Sequence, residues 1–291
     1  MLLQQLADGI ATGAIYSALA LAIVLVFRAS RTLNFAQGEF ALLGAYVSWQ
    51  LVVWGLPVWA ALPVSMALLA ALSAASERAL IRPLARRHQA LPLIIVTLGL
   101  MIAINAVIGW AWTYQTKEVP ALFGGGAVDL GGVAVSRQDI GIVLTVLVVA
   151  VVLGVLFEFT RWGLRMRAAV SAPESAELSG ISTGRTMTMG WAIAGAVGAL
   201  AGTLIAPELF LHPGMMAPVL IYAFAAATLG GLDSPVGALI GGLAVGVVEN
   251  LAGSYLPHGS DFKQVVALVI IVVVLLVRPQ GILGRREVVR V

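Results

Sequence analysis

Nine mostly apolar stretches, near 5–27, 36–54, 57–76, 91–112, 139–158, 187–206, 217–231, 236–252 and 263–277, divide the chain, with short polar connections between them. A helix needs about 20 such residues to cross ~30 Å of hydrocarbon. The seventh and ninth stretches are short, and Pro218 begins one of them, so each is a candidate for a broken or re-entrant helix. The pattern predicts an all-α polytopic membrane protein of eight or nine crossings, with residues 1–291 forming a single transmembrane domain.

Polar residues interrupt this pattern in a few places. After the first stretch comes TLNFAQGEFALLGAY (residues 32–46), which puts Asn34, Gln37 and Glu39 within six positions. Asn34 suits a helix N-cap, Gly38 permits a sharp backbone turn, and Glu39 gains about 0.3–1 kcal/mol near a helix N-terminus. Either a well-capped helix start or a structural break beside a passage fits these residues. Asp8, Thr12, Tyr16 and Ser17 place a polar stripe on the first span, with Thr12 and Tyr16 one turn apart. The stripe suits a helix–helix hydrogen bond and, as the sharper alternative, the lining of a passage. Glu249 and Asn250 fall at the end of the eighth stretch, where snorkelling to the interface is the preferred role over substrate contact. Glu158 and Asp233 sit at predicted cytoplasmic ends and are assigned no chemistry.

Composition agrees with a membrane setting: 60% of residues are hydrophobic, 11% are charged and the mean hydropathy is +1.00. Soluble domains carry roughly 25% charged residues. The placement of the basic residues is more informative than the net charge of +3, which calls for no nucleic-acid partner. Arg28 and Arg31 follow the first span; Arg78, Arg82, Arg86 and Arg87 the third; Arg161, Arg165, Arg167 and Arg185 the fifth; Arg278, Arg285, Arg286 and Arg290 end the chain. Only a nine-crossing path with the N-terminus outside and the C-terminus inside puts all four groups in the cytoplasm, leaving Lys117, Arg137 and Lys263 opposite. The largest outer loop, about 113–137, carries Gly124–Gly126 and Gly131–Gly132 and reads as a flexible connection. Arg28 is the first basic residue, so the N-terminus lacks the charged region of a cleavable signal.

Small residues recur four apart at Gly9 and Gly13, Gly198 and Gly202, Gly237 and Gly241, and Gly242 and Gly246. In lipid this spacing allows close helix packing, preferred here over a subunit interface. Several chemistries lack their residues. There is no cysteine, and His88, His212 and His258 fall in separate connections, which disfavours a metal site. Neither lysine, Lys117 or Lys263, lies in a P-loop sequence, and there is no Gly-x-Ser-x-Gly elbow. No catalytic residue and no cofactor are assigned to the chain.

The longest inner connection, RWGLRMRAAVSAPESAELSGISTGRTM, covers the segment at about 161–186. Pro173, then Glu174 and Glu177, then Gly180 predict a short helix with a proline start, acids early and a glycine stop. From the residues alone, an amphipathic connector on the headgroups and a docking element fit equally.

This segment resembles the coupling loop of LivH/LivM-type permeases of branched-chain amino acid ABC transporters, whose short helix ends in Ala-x-x-x-Gly-Ile. Ala176, Gly180 and Ile181 match that ending, and Arg161, Gly163, Arg167 and Arg185 fit its surroundings. TLNFAQGEF resembles the family's Asn-Phe-Ala-His/Gln-Gly-Glu signature; GGLDSPVGALIGGLAVGVVENL and RPQGILGR resemble its late glycine-rich and closing segments. The four motifs occur in order along nearly the whole chain, which looks most like the shorter, LivH-like subunit. Ser171-Ala172 departs from the pattern where relatives often carry an acid or amide, which shifts the expected contact toward Glu174, Glu177 and the arginines.

The resemblance implies an import permease in the bacterial inner membrane. It also implies a LivM-like second permease subunit, two cytoplasmic ATPases that bind ATP and Mg, a periplasmic binding protein, and membrane lipid around the chain. Arg161, Arg165, Arg167, Glu174, Ala176, Glu177, Gly180 and Ile181 would form the ATPase coupling surface. Thr12, Tyr16, Asn34, Gln37, Gly38 and Glu39 are the candidates for the pathway or its broken helix. The implied cargo is a branched-chain or similar apolar amino acid. Amides, urea, aromatic acids or polar amino acids remain alternatives, as does an ion-coupled secondary transporter.

Overall fold

The computed structural model describes residues 1–85, 90–129, 131–255 and 259–284. Arg86, Arg87, His88, His258, Arg285, Arg286 and Arg290 therefore lie outside the described residues. The elements in order are α1 (Leu2–Ser30), α2 (Gln37–Val53), α3 (Val58–Ser76), a π-helical stretch (Glu77–Ile81) leading into α4 (Arg82–Ala85), and α5 (Ala90–Trp112). A small hairpin, β1 (Ala127–Asp129) and β2 (Ala134–Ser136), precedes α6 (Arg137–Phe159), α7 (Arg161–Ser171) and α8 (Pro173–Leu178). The chain ends with α9 (Thr183–Leu209), α10 (Met216–Gly230), α11 (Pro235–Tyr255) and α12 (Gly259–Val277).

Among the described residues, six helices are long and apolar enough to cross a membrane: α1, the rod from Val58 to Ala85, α5, α6, α9 and α11. This makes the protein a multi-pass membrane protein. The two segments expected to be short differ from each other. α10 has 15 residues and runs unbroken, with Pro218 in its first turn, where the missing N–H costs little; at ~1.5 Å per residue it reaches only about 22 Å. α12 has 19 residues, because the polar stretch before Lys263 joins the helix. The third span also outruns its expected end at residue 76, continuing through the π-helical stretch to Ala85.

The chain gathers into two compact units, one of residues 1–24, 125–150 and 218–291, the other of residues 25–124 and 151–217. In the second unit α2, α3 and α9 pack with their backbones close together. Ser65 donates to the Gly44 carbonyl and Ser73 to that of Trp191, both at 2.7 Å. Small residues that admit a neighbouring backbone and hydroxyls that bond across helices are how apolar helices hold together without help from water. A Cβ on Gly202 would lie 2.0 Å from the Ala41 carbonyl oxygen. Gly202→Val is therefore expected to cost about 1–3 kcal/mol through overpacking. A thermal-unfolding scan in detergent checks this, and a midpoint equal to wild type would contradict the packing.

In the first unit the glycine pairs of α11 serve two neighbours. Gly237 and Gly241 face Gly230 and Ala226 of α10, whereas Gly242 and Gly246 face Ser17 and Gly13 of α1. The pairs are offset by five residues, about 140° around a helix of 3.6 residues per turn, so they look in different directions. Gly9 and Gly13 of α1 lie against Val247 and Leu243. The glycine-rich loop is more ordered than a flexible connection: β1 and β2 pair antiparallel, with Val128 opposite Val135. The Gln4 side chain joins this hairpin, donating to the Ala134 carbonyl at 2.8 Å and accepting from its N–H at 3.1 Å. At the C-terminal end the backbone returns to α10, Ile282 N–H donating to Leu229 O at 2.8 Å.

Candidate functional site

The break signalled by TLNFAQGEF lies earlier than expected. α1 ends at Ser30, Arg31 takes a positive φ of 53°, and α2 starts at Gln37. Gly38 is helical, so it makes no sharp turn. Asn34 is not the N-cap, a position held by Ala36. Instead Asn34 folds the connection: its Oδ1 accepts from Ala36 N–H and its Nδ2 donates to Gln37 Oε1, both at 3.1 Å. Gln37 passes the link on, donating to the Ala194 carbonyl of α9 at 3.0 Å. Both amides are fully buried and make these internal bonds.

Glu39, two residues further, differs. It is 7% exposed and accepts one hydrogen bond from Asn105 Nδ2 on α5 at 3.0 Å; Asn105 also donates to Pro213 O at 2.8 Å. Among the described residues no basic side chain reaches ion-pair distance of Glu39. Its carboxylate is held by a neutral donor and keeps acceptor capacity for another group.

The polar stripe of α1 divides by role. Thr12 Oγ1 donates to the Asp8 carbonyl at 2.9 Å within its own helix. Tyr16 donates to Glu249 Oε2 at 2.9 Å and stacks on Tyr222 with ring centroids 4.7 Å apart. Glu249 does not snorkel: it is buried, and Lys263 Nζ lies 2.9 Å from its other oxygen. The longer α12 brings Lys263 beside α11, which supplies the counter-charge that makes burial tolerable. Asn250 donates to Gln5 O at 3.2 Å.

The inner connection forms three helices. Thr160 caps α7 by accepting from Gly163 N–H at 3.2 Å, and Arg167 reaches back to the Phe157 carbonyl and lies 3.7 Å from Glu158. α8 begins at Pro173 and closes in a Schellman arrangement: Ile181 N–H donates to Ala176 O and Gly180 N–H to Glu177 O, each at 2.9 Å, with Gly180 at φ +79°. The Ala-x-x-x-Gly-Ile pattern is this cap read as sequence, since the glycine takes the left-handed position and the isoleucine folds back toward the alanine. Ala176 is buried, whereas Glu174 and Leu178 are exposed. Glu177 accepts from Thr183 Oγ1, which ties α8 to the start of α9. Arg161, Arg165 and Arg185 line a neighbouring cavity.

One cluster gives no motif in the sequence. Glu77, fully buried in the π-helical stretch, accepts from Arg82 Nε and Nη2 at 2.9 Å each and from Thr188 Oγ1 at 2.7 Å. Arg82 also donates to Gly184 O at 2.6 Å. Residues five apart do not share a face of an α-helix, but a π-turn, closing i to i+5, brings them together. The rod that begins with α3 is thereby fastened to the first turns of α9, next to α8. The adjoining Glu-x-x-x-x-Arg-Pro sequence is the only trace of this contact.

A family profile described as the permease component of branched-chain amino acid transport systems matches residues 5–275. The permease protein BraD of Pseudomonas aeruginosa is 31% identical over 99% of this chain and 98% of its own length. LivH of Escherichia coli K12 is 30% identical over 99% and 97%, and a probable LivH of Methanocaldococcus jannaschii is 31% identical over 91% and 87%. PsaBC from Streptococcus pneumoniae, solved in complex with Fab, shares the fold at a TM-score of 0.51 and 13% identity, over 95% of this chain and 91% of that one. The buried polar links, the Schellman-closed α8 and a match along almost the whole length agree, and the chain belongs to the permease-component family of branched-chain amino acid transport systems.

Proposed function

We propose that this chain is the membrane-embedded permease subunit of an ATP-driven importer that moves branched-chain amino acids into the cytoplasm. The observation that carries the reading is α8, a short helix that starts at Pro173 and closes in a Schellman cap in the connection between α6 and α9, with Glu174 and Leu178 facing out. A helix this short has little stability alone, and its C-terminal cap holds it in one shape for a partner. Two ATPases dock there, with Ala176, Glu177, Gly180 and Ile181 shaping the helix and Arg161, Arg165 and Arg167 beside it. ATP and Mg bind to those subunits. A LivM-like subunit completes the permease, and a periplasmic binding protein delivers the substrate. The chain acts as one permease domain in the inner membrane, with its N-terminus outside and its C-terminus in the cytoplasm, the orientation favoured by its arginines. Nucleotide state alters the balance between two permease conformations by binding one of them more tightly, which gives alternating access.

Within the pathway Glu39 is the group with acceptor capacity to spare, whereas Asn34 and Gln37 hold the helix that carries it. Glu39→Ala is expected to lower uptake about tenfold, and Glu158→Ala to leave it within a factor of two. Equal uptake by the two variants would return Glu39 to a packing role. Purification from the native membrane tests the assignment as a whole: the chain should bring ATPase subunits with it, and uptake should stop when ATP is depleted. Isolation without an ATPase, together with uptake sustained by an ion gradient alone, would overturn it.

A further inference from the structure

Arg161 and Arg165 of α7 and Arg185 of α9 converge on a cavity of about 620 Å³, which Trp162, Gly180 and Ser182 also line. None of the three guanidinium groups has a hydrogen-bond or ion-pair partner among the described residues, whereas Arg82 holds Glu77 and Arg167 holds Phe157 O and Glu158. Three like charges facing one space repel, and an anion between them removes that cost. Ser182 caps α9 at the cavity's edge, accepting from Arg185 N–H at 3.4 Å, so the positive end of a 27-residue helix points the same way.

The position along the chain indicates the source of the anion. The apolar run of α6 ends at Phe159, two residues before Arg161, and α9 is a candidate membrane span from Thr183 onward. The cavity therefore sits where one candidate membrane helix ends and another begins. α7 is amphipathic, burying Gly163, Met166 and Ala169 and exposing Arg161, Leu164 and Arg165. Leu164 and Met189, exposed beside the arginines, offer an apolar surface to an acyl chain, and Trp162 donates to Met189 Sδ at 3.1 Å. Basic and apolar groups side by side on a helix that follows a membrane span suit an anionic lipid better than a soluble anion.

We propose that this cavity is a binding site for an anionic phospholipid, with the headgroup phosphate held by Arg161, Arg165 and Arg185. Arginine suits it because its planar fork meets phosphate oxygens two at a time. The inference rests on the chain lying in a membrane and not on the proposed substrate. The test is native mass spectrometry of the intact transporter complex released from nanodiscs of phosphatidylcholine with phosphatidylglycerol. Wild type should retain phosphatidylglycerol in preference to phosphatidylcholine, and the triple variant R161Q/R165Q/R185Q should retain about tenfold less. R185Q alone, should the triple variant not assemble, is expected to lose part of the retention, whereas R278Q loses none. Wild type without the preference, or either cavity variant with undiminished retention, would overturn the proposal. So would equal loss in R278Q, or displacement of the lipid by added inorganic phosphate. Loss of the ATPases with lipid retention intact would instead make the three arginines a docking surface for protein. A complex that failed to take up amino acids would still give the lipid result, so the two readings fail separately.

Discussion

Replacing Glu77 with alanine is expected to destabilise the protein by about 3–5 kcal/mol, because it leaves the charge of Arg82 partly buried with no counter-ion. The Glu77 side chain is fully buried and that of Arg82 is 26% exposed. Thr188 loses one of its two acceptors in the same step, keeping the Gly184 carbonyl, and the carboxylate link between the rod of α3 and α9 is lost. Removing both charges, as in E77L/R82M, should cost less than E77A alone, since paired apolar replacements avoid the stranded ion. Glu158→Ala is the contrast: Arg167 lies 3.7 Å away and the Glu158 side chain is 49% exposed, so the expected loss is below about 1 kcal/mol. Thermal unfolding in detergent checks all three. Equal midpoints for E77A and E158A would show that the buried cluster does not hold the helices.

Gly180→Trp is expected to abolish ATP-driven uptake while the chain still inserts. Its φ of +79° suits glycine, and any L-residue there pays about 1–2 kcal/mol, which weakens the Schellman closure of α8. No atom lies within 4 Å of a Cβ at this position, so the side chain leaves the backbone without a clash, at the surface proposed to receive the ATPase. A loss of at least about tenfold in uptake corresponds to ~1.4 kcal/mol of docking free energy. Gly180→Ala, strained in the same way but small, should fall between this variant and wild type. Wild-type uptake by Gly180→Trp at matched expression would contradict the docking assignment.

What could be read before the structure follows from what is local in the chain. The apolar stretches give most of the membrane helices to within a few residues, because burial in lipid is written in composition. The ends of α8 are legible because Pro173 sets its start and Gly180 and Ile181 close it over a few residues of sequence. The glycine pairs are visible as a spacing, but their partners are not: only packing reveals that Gly237 and Gly242 look toward different helices.

The misreadings come from contacts distant in sequence or from unusual backbone. Glu249 resembles an interfacial acid until Lys263 is brought beside it. Arg82 counts as a charge following the third stretch unless the helix is known to widen into a π-turn that brings Glu77 to it. Asn34 sits two residues before the true cap, because its side chain folds the connection and so displaces the helix start. Asn105, which donates to the Glu39 carboxylate, sits amid an apolar run and gives no signal of the acid it meets 66 residues away.

As the permease subunit of an ATP-driven importer for branched-chain amino acids, the chain is expected to form part of the passage that these substrates take. The most direct measurement is uptake of labelled leucine, isoleucine and valine, with amide and urea controls, into vesicles carrying the reconstituted complex and its binding protein. The predicted result is saturable accumulation of the three amino acids that requires ATP, with no accumulation of urea or amides. Accumulation of urea or an amide in place of leucine, or leucine uptake unchanged without ATP, would contradict it.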